Sequence, residues 1–209
     1  MKAPERIVTE RLILMRWRES DVAALARLNC DPEVMRFFPR TYDLEETRAR
    51  IAASCEAFET RFYAPWAVEL PGVAACIGLA GPARVGEDLP FAGMIEMAWR
   101  LDRPYWGKGY APEAARAALR EVFERLQPSQ VIAYTAVLNA PSRRVMEKLG
   151  MVEDEEATFA HPAIAADNPL QPHVVYRLTR ERFLASATHP REAPAEEAGA
   201  ARSPARRGG

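Results

Sequence analysis

The chain has 209 residues, 48% hydrophobic and 27% charged, with 28 Lys and Arg against 29 Asp and Glu and a formal net charge of -1. This is ordinary for a soluble globular protein with a sizeable core and fits one domain plus a tail. So small a net charge gives no overall positive field for nucleic acid or an anionic membrane surface, so neither is expected as a partner.

Met1 to Arg11 lacks the apolar run of a signal peptide, and no stretch is long and apolar enough to cross a bilayer, so the cytoplasm is the expected location. Ile7 to Trp17 reads as a first strand, with Leu12, Leu14 and Arg16 on one side and Ile13, Met15 and Trp17 on the other. Ser20 or Asp21 then caps a helix whose Val22, Leu25 and Leu28 share a face, and the helix stops before Asp31-Pro32 because proline pushes its predecessor out of helical angles. Glu33 to Phe38 reads as a short helical turn. Its Met35, Phe37 and Phe38 either wall an acceptor pocket or simply pack in the core. Leu44 to about Thr60 is a longer helix burying Ile51, Cys55 and Phe58.

Phe62 to Leu70 and Val73 to Ala80 read as strands joined by the hairpin turn Pro71-Gly72, and Pro82 to Pro90 as a loop. From Met94 to Leu101 the chain alternates, with Ile95, Met97, Trp99 and Leu101 on one face and Met94, Glu96, Ala98 and Arg100 on the other. The turn Tyr105-Trp106-Gly107-Lys108-Gly109-Tyr110-Ala111-Pro112 then leads into a helix marked by Ala115, Leu119, Val122 and Leu126. Glycines at 107 and 109 let a ligand come close to the main chain. The amides of the following helix start, aided by its dipole, suit an anion such as a pyrophosphate. Taken alone, such a turn is also what a plain tight connection looks like.

Two nucleotide-binding patterns fail here: the dinucleotide fingerprint would need Gly or Ala at Pro112, and the NTPase phosphate loop would need its lysine after the second glycine, where Tyr110 stands. Val131 to Leu138 is the next strand. A helix follows, capped by Asn139 or Ala140, striped by Val145, Met146 and Leu149 and ended by Gly150. Val152 to Phe159 and His173 to Thr179 are the last strands, separated by a mobile surface loop, Ala160 to Pro172. The tail, 186–209, is rich in Ala, Pro, Glu and Arg without periodicity and is expected to be disordered beyond a domain spanning 1–185. Cys30, Cys55 and Cys76 are odd in number and in no metal-ligand pattern. They read as reduced core cysteines, and no metal is expected.

The Trp-Gly-Lys-Gly-Tyr-Ala turn followed by Asn-x-x-Ser and Glu-Lys-Leu-Gly resembles the GNAT superfamily of acetyl-CoA-dependent N-acetyltransferases. Thr9-Glu10-Arg11-Leu12, Asp31-Pro32-Glu33-Val34-Met35 and Tyr176-Arg177-Leu178-Thr179 resemble the branch that includes ribosomal-protein N-terminal acetyltransferases. The resemblance covers roughly residues 5 to 185. It implies an α/β domain, a central mixed but mostly antiparallel sheet of about seven strands flanked by helices. Two parallel strands would splay apart to form a cofactor wedge. It implies acetyl-CoA as co-substrate, with Trp106, Gly107, Lys108, Gly109, Tyr110 and Ala111 at the pyrophosphate, the backbone of Trp99, Arg100 and Leu101 at the pantetheine arm, and Asn139 and Ser142 on the other side. The family often has Gln or Arg where Trp106 stands, and often a tyrosine acid where Met146 stands.

An amine must be neutral to attack a thioester. A lysine-like amine is neutral to roughly one part in a thousand near pH 7 and an α-amine to about ten per cent or more, so an α-amine needs only a modest base. Glu96, upstream of the turn and on the face away from the apolar stripe, is the candidate base, directly or through water; the competing reading is a structural pair with Arg100 on the same face. Ser142 or solvent would return a proton to the leaving thiolate. His161 and His173 flank the Ala160 to Pro172 loop and are given no catalytic role. The expected activity is acetyl transfer to an amine acceptor, a peptide N-terminus or a small molecule. The alternative is a non-catalytic acyl-CoA-binding or interaction module. Whether the chain forms a homodimer through its last strands stays open.

Overall fold

The computed structural model describes residues 2–188. The first expected strand is two: β1 (Arg6–Val8) and β2 (Ile13–Met15) pair antiparallel, Val8 opposite Ile13. Between them the Thr9 amide donates to the Leu12 carbonyl at 2.9 Å and the Leu12 amide to the Thr9 hydroxyl at 2.9 Å, closing a reverse turn that buries Leu12 and turns Arg11 outward.

With β3 (Trp66–Leu70), β4 (Ala74–Arg84), β5 (Ile95–Leu101), β6 (Gln130–Ala136), β7 (Val152–Ala160) and β8 (Pro172–Thr179), these make one sheet in the order β1-β2-β3-β4-β5-β6-β8-β7. The described residues therefore form eight strands rather than about seven. β4 also runs past the expected Ala80 to Arg84, because Arg84 still pairs with Ile95. All neighbours are antiparallel except β5 and β6. The mixed, mostly antiparallel α/β architecture is as expected.

Among the described residues five α-helices flank the sheet: α1 (Val22–Cys30), α2 (Leu44–Thr60), α3 (Tyr110–Glu121), α4 (Ala140–Lys148) and α5 (Arg180–Thr188). α2 begins at a reciprocal cap in which Asp43 accepts from the Glu46 amide at 2.8 Å and Glu46 accepts from the Asp43 amide at 3.0 Å. Cys55 is exposed rather than buried: α2 buries Thr47, Ile51 and Phe58, and at 100° per residue Cys55 falls about 40° outside that stripe. Cys30 is exposed too, and only Cys76 of the three is in the core. α3 continues as a π turn, Val122–Leu126, whose Phe123 packs on Phe183 of α5.

α5 is not foreshadowed by any pattern in the sequence, and its last turn carries the chain to Thr188. The remainder of the expected disordered tail lies outside the described residues. The Ala160 to Pro172 connection lies on the surface, as expected, and carries its own bonding: the His161, Ile164, Asn168 and Gln171 amides all donate to backbone carbonyls within it, and Ile164 is buried.

The main core joins Leu14, Trp66, Ile77, Met97 and Leu101 of the sheet to Leu25, Phe58, Ala118 and Leu119 of the helices. A smaller cluster, Val85, Ile132 and Val175, gathers Met94, Phe91, Tyr134 and Phe159 around it.

Candidate active site

β5 and β6 set the site. β4 and β5 are in register along seven pairs, but β5 and β6 at one only, Glu96 opposite Ile132. Beyond Glu96 the two parallel strands part, leaving a wedge on the side toward which β5 runs. α3 starts at its mouth.

The turn that opens the wedge is held from three directions. Gly107 (φ 73°) and Gly109 (φ 81°) take left-handed angles, and Gly109 caps α3. The Trp106 indole donates to the Leu101 carbonyl at 2.7 Å, folding the turn back on the end of β5. From the β1–β2 turn, Arg11 Nη1 donates to the Lys108 carbonyl at 3.0 Å, and its guanidinium lies 4.7 Å from the Tyr110 ring centroid. Glu113, in the first turn of α3, accepts from the Thr9 hydroxyl at 2.6 Å, the Arg11 amide at 2.9 Å and Arg11 Nε at 2.7 Å. Burial pushes the Glu113 carboxyl up, but these donors outweigh it and hold it below the ordinary carboxylate range.

Among the described residues the backbone amides of Gly107, Lys108, Gly109, Tyr110 and Ala111 donate to no protein acceptor. Five free donors in sequence, at a helix start and without a Cβ at two positions, fit a pyrophosphate. The site residues of this turn are thus brought together. Trp106 adds an inward role, since its polar edge is turned to Leu101, and the Leu101 carbonyl is already engaged.

Glu96 lies deep in the protein yet keeps part of its surface open to solvent, at the point where β5 and β6 diverge. Burial pushes its carboxyl above the ordinary value, and the hydroxyl of Tyr134, two residues beyond Ile132 on β6, partly counters the rise. The expected alternative, an ion pair with Arg100, is not formed. Arg100 Nη1 instead donates to Asn29 Oδ1 on α1 at 2.5 Å, and its guanidinium lies 4.2 Å from the Phe38 ring centroid. The reason is strand spacing: four residues separate the two Cα atoms by roughly 13 Å. Burial pulls Arg100 down to about 10. Phe38 therefore faces a charged group, Met35 is core, and Phe37 carries Arg36 on its ring at 4.8 Å.

On the far side of the wedge, Asn139 caps α4: its Oδ1 accepts from the Ser142 amide at 3.2 Å and its Nδ2 donates to the Thr135 hydroxyl at 2.8 Å. Asn139 thus holds the start of α4 against β6, a positioning duty the sequence did not disclose. The Ser142 hydroxyl is partly exposed and unused by the fold. Met146 is 1% exposed and carries no proton to give. Arg143 was missed: it donates to Glu153 at 2.9 Å and to the Tyr176 hydroxyl at 3.2 Å, tying α4 to β7 and β8. The rings of His161 and His173 stand 4.8 Å apart beside Phe159, both held toward the neutral form by burial.

Chemically, the arrangement sets free backbone amides suited to an anion at one end and a carboxylate of raised basicity where the strands part. No group of three or more His, Cys, Asp or Glu among the described residues is placed to hold a metal ion, and no described helix is long and apolar enough to cross a membrane.

Residues 11–152 match the family model described as an acetyltransferase (GNAT) domain. The protein YkkB of Bacillus subtilis is 30% identical over 152 residues, 72% of this chain and 87% of its own length. The FsC-acetyl coenzyme A-N(2)-transacetylase of Aspergillus fumigatus is 28% identical over 200 residues, 88% of this chain and 80% of its own. A GNAT-family acetyltransferase structure from Bacillus anthracis superposes with a TM-score of 0.68 at 28% identity, covering 84% of this chain and 99% of that one.

Proposed function

The chain belongs to the GNAT acetyltransferase family and is an acetyl-CoA-dependent acyltransferase, and on that premise we propose that it acetylates a primary amine, of a peptide N-terminus or a small molecule, by direct attack in a ternary complex. The observation that carries the reading is the run of five free amides, Gly107 to Ala111, at the mouth of a wedge whose apex holds Glu96. Bound acetyl-CoA supplies the activated acetyl group. The amides and Lys108 hold its pyrophosphate, and the open edge of β5 at Trp99 and Arg100 receives the pantetheine arm as an added strand.

Glu96 takes a proton from the incoming ammonium, directly or through one water, leaving the nitrogen lone pair free to attack. Its raised basicity suits an α-amine better than an ordinary carboxylate would. Ser142, whose hydroxyl is otherwise unused, or solvent returns a proton on the leaving side.

The test is acetyl-CoA binding and thiol release against a panel of amines and N-terminal peptides, for the native chain and Glu96→Gln. Acceptor-dependent release that Glu96→Gln lowers is expected. Tight binding without release for any amine would sink the amine-transfer reading, and absence of binding would sink the cofactor site.

A further inference from the structure

We infer that the acceptor amine carries a carboxylate that is read by Arg100, an inference that rests on the amine-acetyltransferase reading above. Arg100 shares the Glu96 face of β5 and sits inside the protein with one side-chain partner, the neutral Asn29. Its Nε is buried and has no acceptor, and no described carboxylate lies within ion-pair distance of it. Its other neighbours are the rings of Phe38 and Tyr42, at 4.2 and 5.9 Å. Arg50, stacked on Tyr42 at 3.8 Å, adds positive charge rather than balancing it.

Other sheltered arginines among the described residues are partnered differently: Arg116 and Arg180 give their guanidinium to backbone carbonyls. Arg16, Arg125, Arg143 and Arg177 are comparably sheltered, and each holds a carboxylate. A guanidinium taken from water without a counter-ion is costly, and its planar fork matches the two oxygens of a carboxylate. Arg100 is therefore a cation without a counter-charge, on the face of β5 that Glu96 shares.

The spacing restricts the partner further. With the two Cα atoms roughly 13 Å apart along the strand, an acceptor whose amine meets Glu96 and whose carboxylate meets Arg100 is longer than a free amino acid. At about 3.3 to 3.6 Å per extended residue the full separation takes about four residues, and the reach of the Glu96 and Arg100 side chains shortens it, so short peptides from two residues upward, or amines with a comparably spaced carboxylate, span the gap.

The experiment compares alanine, dialanine and trialanine with their C-terminal amides as acceptors, reading kcat/KM for thiol release with the native chain, Arg100→Gln and Arg100→Lys. The native protein is expected to favour the free carboxylate by about 10-fold or more, most strongly at di- or tripeptide length. That ratio should collapse toward one in Arg100→Gln and partly return in Arg100→Lys. If Arg100→Gln does not fold, the native carboxylate-to-amide ratio decides alone. Release from amines with no carboxylate preference at any length, or a preference that survives Arg100→Gln, overturns the inference and leaves the family activity standing. Absence of release from every amine removes both.

Discussion

Arg11 and Glu113 are 102 residues apart in sequence, yet the Arg11 amide and Nε reach the two oxygens of one Glu113 carboxylate at 2.9 and 2.7 Å. Through this contact the β1–β2 turn holds the first turn of α3, and with it the free amides of the glycine turn. Glu113→Gln removes the charge from a partly sheltered pair and is expected to cost about 1–2 kcal/mol of stability. Acetyl-CoA affinity should drop with it, while a saturating concentration restores most of kcat.

The pH dependence of that loss has a definite sign. Glu113 titrates below its ordinary 4.5 in the fold, so its contribution is fully present above that value and fades as pH falls through the depressed one. Urea unfolding of both proteins at pH 7 and at pH 3 checks this. A stability gap that is the same at both pH values would show that the charge of Glu113 plays no part.

Gly109 and Gly150 test position against conformation. Both are left-handed, at φ 81° and 82°, and an alanine at either costs about 1–2 kcal/mol from the backbone alone. At Gly150 an added Cβ meets nothing within 4 Å, whereas at Gly109 it lies 3.3 Å from Arg11 Nη2. Gly109→Ala should raise the KM for acetyl-CoA by roughly 10-fold, and Gly150→Ala should leave it within about 2-fold at a similar loss of stability. Equal KM effects in the two variants would detach the turn from cofactor binding.

Much of the frame was legible because it rests on local pattern. Alternation from Met94 to Leu101 and the glycine turn before Pro112 located β5, the turn and α3, and Asn139 was already one of two candidate caps for α4. What stayed hidden was tertiary. Nothing near Thr9 or Arg11 announces a contact with Glu113, and the break of the first strand depends on a turn closed by the Thr9 side chain. Glu96 and Arg100 share a face, which made their pairing reasonable, but α1 brings Asn29 and β6 brings Tyr134, and each charge takes the nearer partner.

Glu96 and Tyr134 give a kinetic test. With an acceptor amine of low pKa, which enters neutral, the proton left for Glu96 is the one the nitrogen sheds as it bonds to the acetyl carbon, and the acid limb of kcat then reports the ionisation of Glu96. That limb should lie above the ordinary 4.5, because burial raises the carboxyl. Tyr134→Phe removes the hydroxyl that lowers it and should move the limb to higher pH. Glu96→Gln should cost about 100-fold in kcat, erase the limb and leave stability at pH 7 equal or higher, since a carboxylate that ionises reluctantly disfavours the folded state at neutral pH. A limb unchanged in Tyr134→Phe would place the titrating group elsewhere.

Asn29 tests whether Arg100 really lacks a counter-charge. Asn29 is 1% exposed; its Nδ2 donates to the Thr47 hydroxyl at 3.0 Å and its Oδ1 is the one side-chain acceptor of Arg100. Asn29→Ala strips the buried guanidinium of that acceptor and is expected to cost about 2–4 kcal/mol. Asn29→Asp, nearly the same shape, supplies the missing charge. Thr47 can turn its own hydroxyl proton toward the new carboxylate, so this variant should stay within about 1 kcal/mol of native at pH 7. Its stability should fall relative to native below about pH 4, as the carboxylate paired with Arg100 protonates. In the same variant the preference for acceptors bearing a carboxylate should shrink, because an internal anion now competes for Arg100. Urea unfolding at pH 7 and pH 3, with the alanine peptides and their amides as acceptors, reads both effects. An Asn29→Asp protein as unstable as Asn29→Ala would mean that Arg100 needs the amide's geometry and not a negative charge.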